Sequence, residues 1–229
     1  LTLNQRSLDG VTATANWEQD IWRGQIEARQ LKGTVEYHQP GTRHPSGLVS
    51  ARLAHLTLID SGPPPAEPAQ ASAHQELPAL DIVVDRFELG GRSLGVLEMV
   101  ARNSHTPRGL LWTLSKFNLT VPEARMKASG TWSAAARRTA LQFRLELDDT
   151  GSLLERFAMP GVIRRGKGVL EGDMGWIGTP VAPDYRSMAG KIHVDVESGQ
   201  FLKAEPGLAK LLSVLSLQSL PRRMTLEIG

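Results

Sequence analysis

The sequence predicts a mainly β fold: a large curved antiparallel sheet forming an apolar groove, with a short C-terminal helix and one other short helix as a candidate. Two observations favour this class. Apolar and polar residues alternate in many short stretches, which is typical of strands with one buried face. Helix signals are confined to two segments, 151–157 and 206–220.

Alternation is clearest in residues 141–148, where Leu141, Phe143, Leu145 and Leu147 are separated by polar residues. Successive side chains on a strand point to opposite faces of the sheet. The pattern therefore predicts a sheet with one apolar and one charged face, and the apolar face must be covered. The candidate strands are 11–17, 22–29, 32–38, 49–59, 80–89, 94–102, 110–121, 125–132, 141–148, 168–176 and 192–197.

A proline-rich segment separates two groups of strands. It contains Pro63, Pro64, Pro65 and Pro68 among Ala, Ser and Gln, a composition that supports neither a strand ladder nor a core. We expect a β-sheet segment at 1–60, a flexible loop at 61–78, and a second β-sheet segment at 79–229 that continues the first sheet. A domain boundary in the loop is the alternative.

The segment 206–220 carries the stronger helix signal. Pro206 suits the first helical position and Pro221 ends the run. At about 1.5 Å per residue the helix is about 22 Å long, too short to cross a bilayer. It either caps one end of the groove or rests on a membrane surface, and we favour capping. The residues at helical spacing are Leu208, Leu211, Leu212 and Leu215.

Composition excludes several classes of protein. The 26 Lys and Arg residues nearly balance 24 Asp and Glu and are scattered, whereas nucleic-acid binders cluster their positive charge. Cysteine is absent, which removes disulfides, thiol nucleophiles and Cys-based zinc sites. No stretch reaches the roughly 18 consecutive apolar residues of a membrane span. The chain starts without Met and stops within a predicted strand, so we expect an excerpt of a longer protein.

A search for catalytic and metal-binding residues finds no convincing set. No two of the six His residues have the i, i+4 spacing of a zinc-protease motif. His193 and Asp195 lack a nucleophile nearby, and Asp148 with Asp149 is better explained as a turn with a helix cap. We therefore expect a protein that is not an enzyme and that holds no metal and no cofactor.

The Gly-rich basic stretch 161–168 lacks the ending of a phosphate-binding P-loop and is interpreted as a hairpin turn. If its cations have a role, contact with an anionic lipid headgroup is the one to test, through Arg164, Arg165 and Lys167. The five tryptophans are interpreted as core residues, with the alternative that some line a groove. A buried face and a lipid-filled face need the same residue types.

Three runs are shared with a known family. They are GKGVLEG at 166–172, GQFLKAEPG at 199–207 and LLSVLSLQSLPRR at 211–223. On these, residues 80–226 resemble the C-terminal part of the YhdP branch of AsmA-like envelope proteins. Two departures are Met224, where the family pattern has Leu, and the end of the chain soon after it, where the family continues through a further strand.

The resemblance implies a very long protein of a Gram-negative bacterium, anchored in the inner membrane by an N-terminal helix and spanning the periplasm with a β-rich body. It implies carriage of phospholipid between inner and outer membranes along an apolar channel, without catalytic residues. The predicted function is a periplasmic segment of such a bridge-like phospholipid transporter. The alternative is a non-enzymatic scaffold of envelope biogenesis that binds partner proteins.

Three sets of residues carry these expectations. The predicted lipid-groove residues are Trp132, Leu141, Phe143, Leu145, Leu147, Leu170, Met174, Trp176, Ile192, Val194, Val196 and Phe201. The predicted groove-capping residues are Leu208, Leu211, Leu212 and Leu215, and the predicted headgroup contacts are Arg164, Arg165 and Lys167.

Overall fold

The structure is a computed structural model that describes residues 2–3, 6–7, 10–58, 77–107, 109–159, 161 and 163–201. For 2–3, 6–7, 163–164 and 199–201 it describes the backbone alone. The predicted C-terminal helix at 206–220, with its four leucines, lies outside the described residues, as does most of the proline-rich segment.

Strands dominate the described residues. They are β1 (Thr2–Leu3), β2 (Arg6–Ser7), β3 (Thr12–Glu18), β4 (Ile21–Glu27), β5 (Leu31–His38), β6 (Leu48–Leu58), β7 (Ala79–Leu89), β8 (Arg92–Thr106), β9 (Gly109–Val121), β10 (Ala124–Ser133), β11 (Arg138–Leu147), β12 (Ile163–Thr179), β13 (Ala182–Pro183) and β14 (Ala189–Phe201). One helix, α1 (Thr150–Arg156), and a short 3-10 helix (Tyr185–Ser187) complete the set.

Twelve of these strands form one open sheet. Its order is β13-β12-β11-β10-β9-β8-β7-β6-β5-β4-β3, with β14 also paired to β12, while β1 and β2 pair only with each other. The predicted mainly β class and large sheet are confirmed. Strands from before and after the proline-rich segment belong to the same sheet, because β6 and β7 are hydrogen-bonded neighbours.

Tight turns make most consecutive strands antiparallel neighbours. Gly90 and Gly91 join β7 to β8 with φ angles of 57° and 74°, the two positive values that a two-residue type I′ turn requires. Gln19 and Asp20 join β3 to β4 in the same way, with φ angles of 49° and 63°. The twist of such turns matches that of the strands, which fixes the register of each hairpin.

The sheet is antiparallel as predicted, with the exception of one pair. β6 and β7 run parallel, with Leu48 opposite Ala79 and Leu58 opposite Leu89. A parallel pair needs a crossover connection of about a dozen residues or more. Twenty residues, 59–78, separate the end of β6 from the start of β7.

The second predicted helix, 151–157, is confirmed as α1. Asp149 is its N-cap: one carboxylate oxygen accepts from the backbone N–H of Ser152 at 3.1 Å, and the other from the Ser152 hydroxyl at 2.8 Å. These hydrogen bonds lower the pKa of the Asp149 carboxyl. The pair Asp148 and Asp149 thus ends a strand and starts a helix, as the sequence predicts.

Buried side chains form two clusters on one face of the sheet. The first contains Leu53, Val84, Phe87 and Leu97. The second contains Ala101, Trp112, Leu114 and Trp132. Within the described residues, no second sheet of comparable size packs against either cluster. Within the described part of the chain, the core is therefore one layer of side chains lying on an open sheet.

Candidate functional site: an apolar trough

Two apolar rows cross the sheet without interruption, and every step in each row joins residues that are direct partners in neighbouring strands. The first row is Ala15, Gly24, Val35, Ala51, Ile82, Met99, Phe117, Ala128, Phe143, Gly172 and Ile192. The second is Ala13, Ile26, Gly33, Leu53, Val84, Leu97, Leu119, Met126, Leu145, Leu170 and Val194. We call the surface they share the apolar face.

A third row lies beside them on the same face. It runs through Trp17, Trp22, Tyr37, Val49, Leu80, Ala101, Leu114, Gly130, Leu141, Met174 and Gly190. None of the three rows contains a charged side chain. The apolar face is therefore continuous from β3 to β14, across eleven strands.

The opposite face is charged and largely self-neutralising. Arg52 pairs with Asp81 at 3.0 Å, and Arg125 pairs with Asp148 at 2.9 Å. A further cation, Arg144, bridges two carboxylates on its own and the next strand. Hydrogen bonds from Arg144 are the main cause of a lowered pKa at Glu146, and together the pairs raise the pKa of Arg144 itself.

The apolar face is concave over its central strands. A cavity of about 310 Å³ is lined by Leu80 of β7 and Trp176 of β12, with side chains of every strand between them. Strands lie about 4.8 Å apart, so these two residues would be about 24 Å apart across a flat sheet. Because both line one cavity, the cavity extends across six strands of the apolar face.

One end of the strands is lined by the backbone of Pro78 and of the last residues of β12. The indole N–H of Trp112 donates to the Pro78 carbonyl at 2.9 Å, and that of Trp176 donates to the Thr179 carbonyl at 3.0 Å. The hydroxyl of Thr139 donates to the Gly178 carbonyl at 2.8 Å. These bonds hold the chain before β7 and the C-terminal end of β12 against the same edge of the apolar face.

The other end of the strands is closed by α1. Phe157, just after α1, packs on the cluster that contains Val84 and Leu97, and the Arg92 guanidinium lies 5.7 Å from the centre of its ring. Arg156 donates to the Glu123 carboxylate at 2.6 Å. We call the apolar face between α1 and the edge formed by Pro78 and Thr179 the trough; it runs across the strands.

The structure gathers the predicted groove residues on this one face. Trp132 and Trp176 are buried, whereas Val194 is 48% and Val196 is 62% exposed. The backbone of Phe201 lies in β14 opposite Ile163, and its side chain is outside the described part of the chain. The remaining members on the apolar face are Leu141, Phe143, Leu145, Leu147, Leu170, Met174 and Ile192.

Sequence reasoning missed the part of the trough on β3 to β9, seven of its eleven strands. Residues such as Val35, Leu53 and Leu97 occupy the same rows, but the prediction named only residues of β10 to β14. At some positions a register shift hides the pattern: Val84 and Phe87 lie on the same face although they are three residues apart. A β-bulge inserts the extra residue and breaks the period of two in the sequence.

Two other expectations need correction. The basic stretch is not a hairpin turn: Arg165 and Gly166, with φ angles of 53° and 116°, form a bulge inside β12. The Arg165 and Lys167 side chains are exposed there, beside the start of α1, while only the backbone of Arg164 is described. Trp17 and Trp22 are not core residues, since they are 45% and 47% exposed and contact each other with ring centres 4.8 Å apart.

The described residues contain neither a candidate metal site nor a candidate membrane span. No three His, Asp or Glu side chains in this part of the chain are placed to share a metal ion. No described helix has the length and apolarity that a membrane span needs.

The fold and the trough define a class of one-sided β-sheet protein, with one charged face and one continuous apolar face. The family described as YhdP protein matches residues 1–228, and the chain belongs to this family of AsmA-like bacterial envelope proteins. The resemblance found over residues 80–226 is confirmed and extends to the N-terminal strands. Neither the curated proteins nor the solved structures that were searched gave a match.

Proposed function

We propose that this chain shelters the hydrocarbon tails of phospholipids in the trough, as a periplasmic segment of a bridge-like transporter between the inner and outer membranes. The observation that supports this most strongly is the continuity of the three apolar rows across eleven strands. A globular core needs a closed cluster of apolar side chains. A conduit needs an open one that continues from edge to edge.

Exposure at the edges of the sheet supports the same proposal. Trp17 and Trp22 lie near the β3 edge, and Val194 and Val196 lie on the β14 edge, all between 45% and 62% exposed. Large exposed apolar patches mark sites of ligand, partner or membrane contact. Here the exposed patches are the two ends of one trough, so an elongated apolar ligand fits them better than a compact one.

The energetics suit transport. Each buried CH₂ contributes about 0.8 kcal/mol, so a dozen methylenes in the trough hold a tail against release to water by roughly 10 kcal/mol. Movement from strand to strand exchanges one apolar contact for another of the same kind, because no charged side chain interrupts the rows. Eleven strands about 4.8 Å apart give a track of about 48 Å.

The alternative of a partner-binding scaffold has less support. It would use the charged face, but Arg52, Arg125 and Arg144 are already paired with carboxylates of that face. These arginines and carboxylates neutralise each other's charge, so little net charge is left on this face to bind a partner protein. The apolar face, by contrast, leaves large side chains exposed.

Copurifying lipid tests the proposal. The chain is expressed in a Gram-negative host and its bound phospholipid is counted by mass spectrometry, for the unchanged sequence and for Phe143→Asp. Gln142→Asp, on the opposite face of the same strand, is the matched control. We expect lipid on the unchanged chain and on the control, and at least a tenfold loss in Phe143→Asp with the β circular dichroism retained. Equal lipid in all three, or none in any, contradicts the proposal.

A further inference from the structure

Exposed aromatic side chains mark one end of the first three strands of the sheet. Trp17, Trp22 and Tyr37 are direct partners in the third apolar row, on β3, β4 and β5, and all three are exposed. Trp and Tyr combine an apolar ring with a polar tip, and at membrane surfaces they lie at the level of the lipid headgroups. This end of the strands therefore has the side chains of a boundary between hydrocarbon and water.

A cluster of cations lies beside these aromatic residues, around the loop 39–47 between β5 and β6. The backbone N–H of Ala79 donates to the Gly47 carbonyl at 2.9 Å, which holds the loop against the start of β7. The pairing of β7 with β8 places Arg102 on the other side of Ala79. Arg43, within the loop, and Arg102 are both exposed. Among the described residues, neither arginine has an ion-pair partner.

The surroundings of His44 show that these cations lie close together. The centre of its ring is 6.1 Å from that of His38. Burial lowers the pKa of His44, and repulsion from His38, Arg43 and Arg102 lowers it further. No carboxylate is among the groups that shift it. An anion placed beside His44 would therefore meet positive charge from β5, from the loop and from β8.

The carboxylates at this end of the strands lie on the side of β3 to β5. Arg23 pairs with Glu18 at 3.5 Å and with Glu36 at 3.1 Å, and Glu36 also lies 3.6 Å from the His38 ring nitrogen. Asp20 lies in the turn between β3 and β4. Two of the three carboxylates are thus already paired, and none of them is near enough to shift His44.

The opposite end of the strands, beside α1, is different, because two of its cations act on carboxylates. Arg156 donates to Glu123 at 2.6 Å. Hydrogen bonds from Ser152, and to a smaller extent the charge of Arg165, lower the pKa of Asp149. An anionic headgroup there would compete with these carboxylates. We call the end with free cations the aromatic–basic rim; its members are Trp17, Trp22, Tyr37, Arg43, His44 and Arg102.

We propose that phospholipids in the β3 to β8 part of the trough project their headgroups over the aromatic–basic rim, with the phosphate against Arg43 and Arg102 and the tails entering the trough past Tyr37. The inference rests on the proposed function and deepens it, because it assigns the headgroups to one rim of the trough. Along β5, aliphatic Val35 is followed by amphipathic Tyr37 and then by the cationic loop. That order matches tail, glycerol and phosphate in the lipid. The guanidinium of Arg is always charged and its geometry suits phosphate.

Photoreactive phospholipids test this orientation. One probe is a phosphatidylethanolamine with a diazirine attached to the headgroup amine, and the other carries the diazirine at the end of one acyl chain. The chain is irradiated with vesicles that contain either probe, and crosslinked peptides are mapped by mass spectrometry. One cation near an anionic surface is worth about fivefold in binding. We therefore expect headgroup adducts in 39–47 at least about fivefold above those in 163–167, with tail adducts on the apolar face.

Paired variants compare the two ends of the strands. Arg43→Gln with Arg102→Gln removes two charges from the rim, and Arg165→Gln with Lys167→Gln, the matched control, removes two charges beside α1. All four side chains are exposed, so both variants should keep the β circular dichroism. We expect headgroup adducts in the loop to fall at least about fivefold in the first variant and to stay within about twofold in the control. Tail adducts should persist in both.

The outcomes separate this inference from the proposed function. Headgroup adducts that concentrate in 163–167, or that are equal at the two ends, overturn the assignment of the rim and leave the conduit proposal standing. Equal labelling of the loop by the photoreactive headgroup without acyl chains also overturns it, because the cations would then bind soluble anions independently of the trough. Absence of tail adducts from the apolar face of the unchanged chain contradicts the conduit proposal itself.

Discussion

Leu53 and Val84 face each other across the one parallel strand pair, and both are almost fully buried, at 6% and 0% exposure. Through this contact the apolar rows of β3 to β6 continue into those of β7 to β14. A register slip of one residue between β6 and β7 would turn an entire strand's apolar set to the charged face. The parallel pair is therefore the position on which the continuity of the trough depends.

Val84→Ala tests that position. It deletes two buried methyl groups and leaves a cavity between β6 and β8, so we expect the free energy of unfolding to fall by about 2 kcal/mol. Val96→Ala, at a 41% exposed side chain of β8, is the control and should change it by less than about 0.5 kcal/mol. Urea unfolding followed by circular dichroism measures both. A Val84→Ala loss no larger than that of the control would argue against a core centred on this pair.

Gly95→Ala tests the close approach of β8 to β9. A Cβ at Gly95 would lie 2.0 Å from the Thr120 carbonyl oxygen, and the residue has a φ of 71°. Gly91 has a φ of 74° and nothing within 4 Å of a built Cβ, so Gly91→Ala carries the same backbone strain without the clash. We expect Gly95→Ala to be destabilised by at least about 2 kcal/mol more than Gly91→Ala, measured by thermal or urea unfolding. Equal losses of stability in the two variants would indicate that β8 and β9 lie further apart at Gly95 than the structure shows.

The ion pair beneath α1 makes a prediction of non-additivity. Arg156→Met leaves the Glu123 carboxylate, whose side chain is 16% exposed, without its cation. We expect the free energy of unfolding to fall by about 2 kcal/mol in Arg156→Met. The fall should be smaller in the double variant Arg156→Met with Glu123→Gln, because the unpaired carboxylate is then replaced by a neutral amide. Unfolding of the four members of this cycle measures the coupling. A double variant no more stable than Arg156→Met would show that the charge is solvated.

The Asp149 cap predicts a pH dependence. Hydrogen bonds from Ser152 lower the pKa of the Asp149 carboxyl in the folded chain below its ordinary value of 3.8. Stability from this shift is fully present above that ordinary value and is lost as pH falls through the lowered one. The stability difference between the unchanged chain and Asp149→Ala should therefore be constant above about pH 5 and shrink on acidification below pH 4. A difference that grows on acidification would exclude the cap.

Much of the fold was predictable because the information is local. The alternation in 141–148 places Leu141, Phe143, Leu145 and Leu147 on one face, and β11 has that arrangement. The apolar and charged faces of a single strand are set by its own residues. Short turns such as the one at Gly90 and Gly91 then make neighbours in the sequence neighbours in the sheet.

The parts that were not predictable depend on pairing between distant residues. The parallel pairing of Leu53 with Val84 follows a long connection, and nothing local distinguishes it from an antiparallel hairpin. A β-bulge places Phe117 on the same face as Leu114 although the two are three positions apart. The period of two in the sequence therefore does not identify Phe117 as a residue of the apolar face. Whether the indole N–H of Trp132 finds an acceptor depends on the backbone carbonyls that the fold brings near it, so the sequence offers no signal for its unpaired state.

Photocrosslinking along one row tests the central claim most directly. A photoreactive amino acid is placed in turn at Val35, Phe117 and Phe143, which lie in the first apolar row on β5, β9 and β11, and at Gln142 on the charged face. After irradiation of cells grown with radiolabelled lipid precursor, we expect phospholipid adducts at all three row positions and none at Gln142. Adducts at none of them, or at Gln142 as readily as at Phe143, would contradict a lipid track on the apolar face.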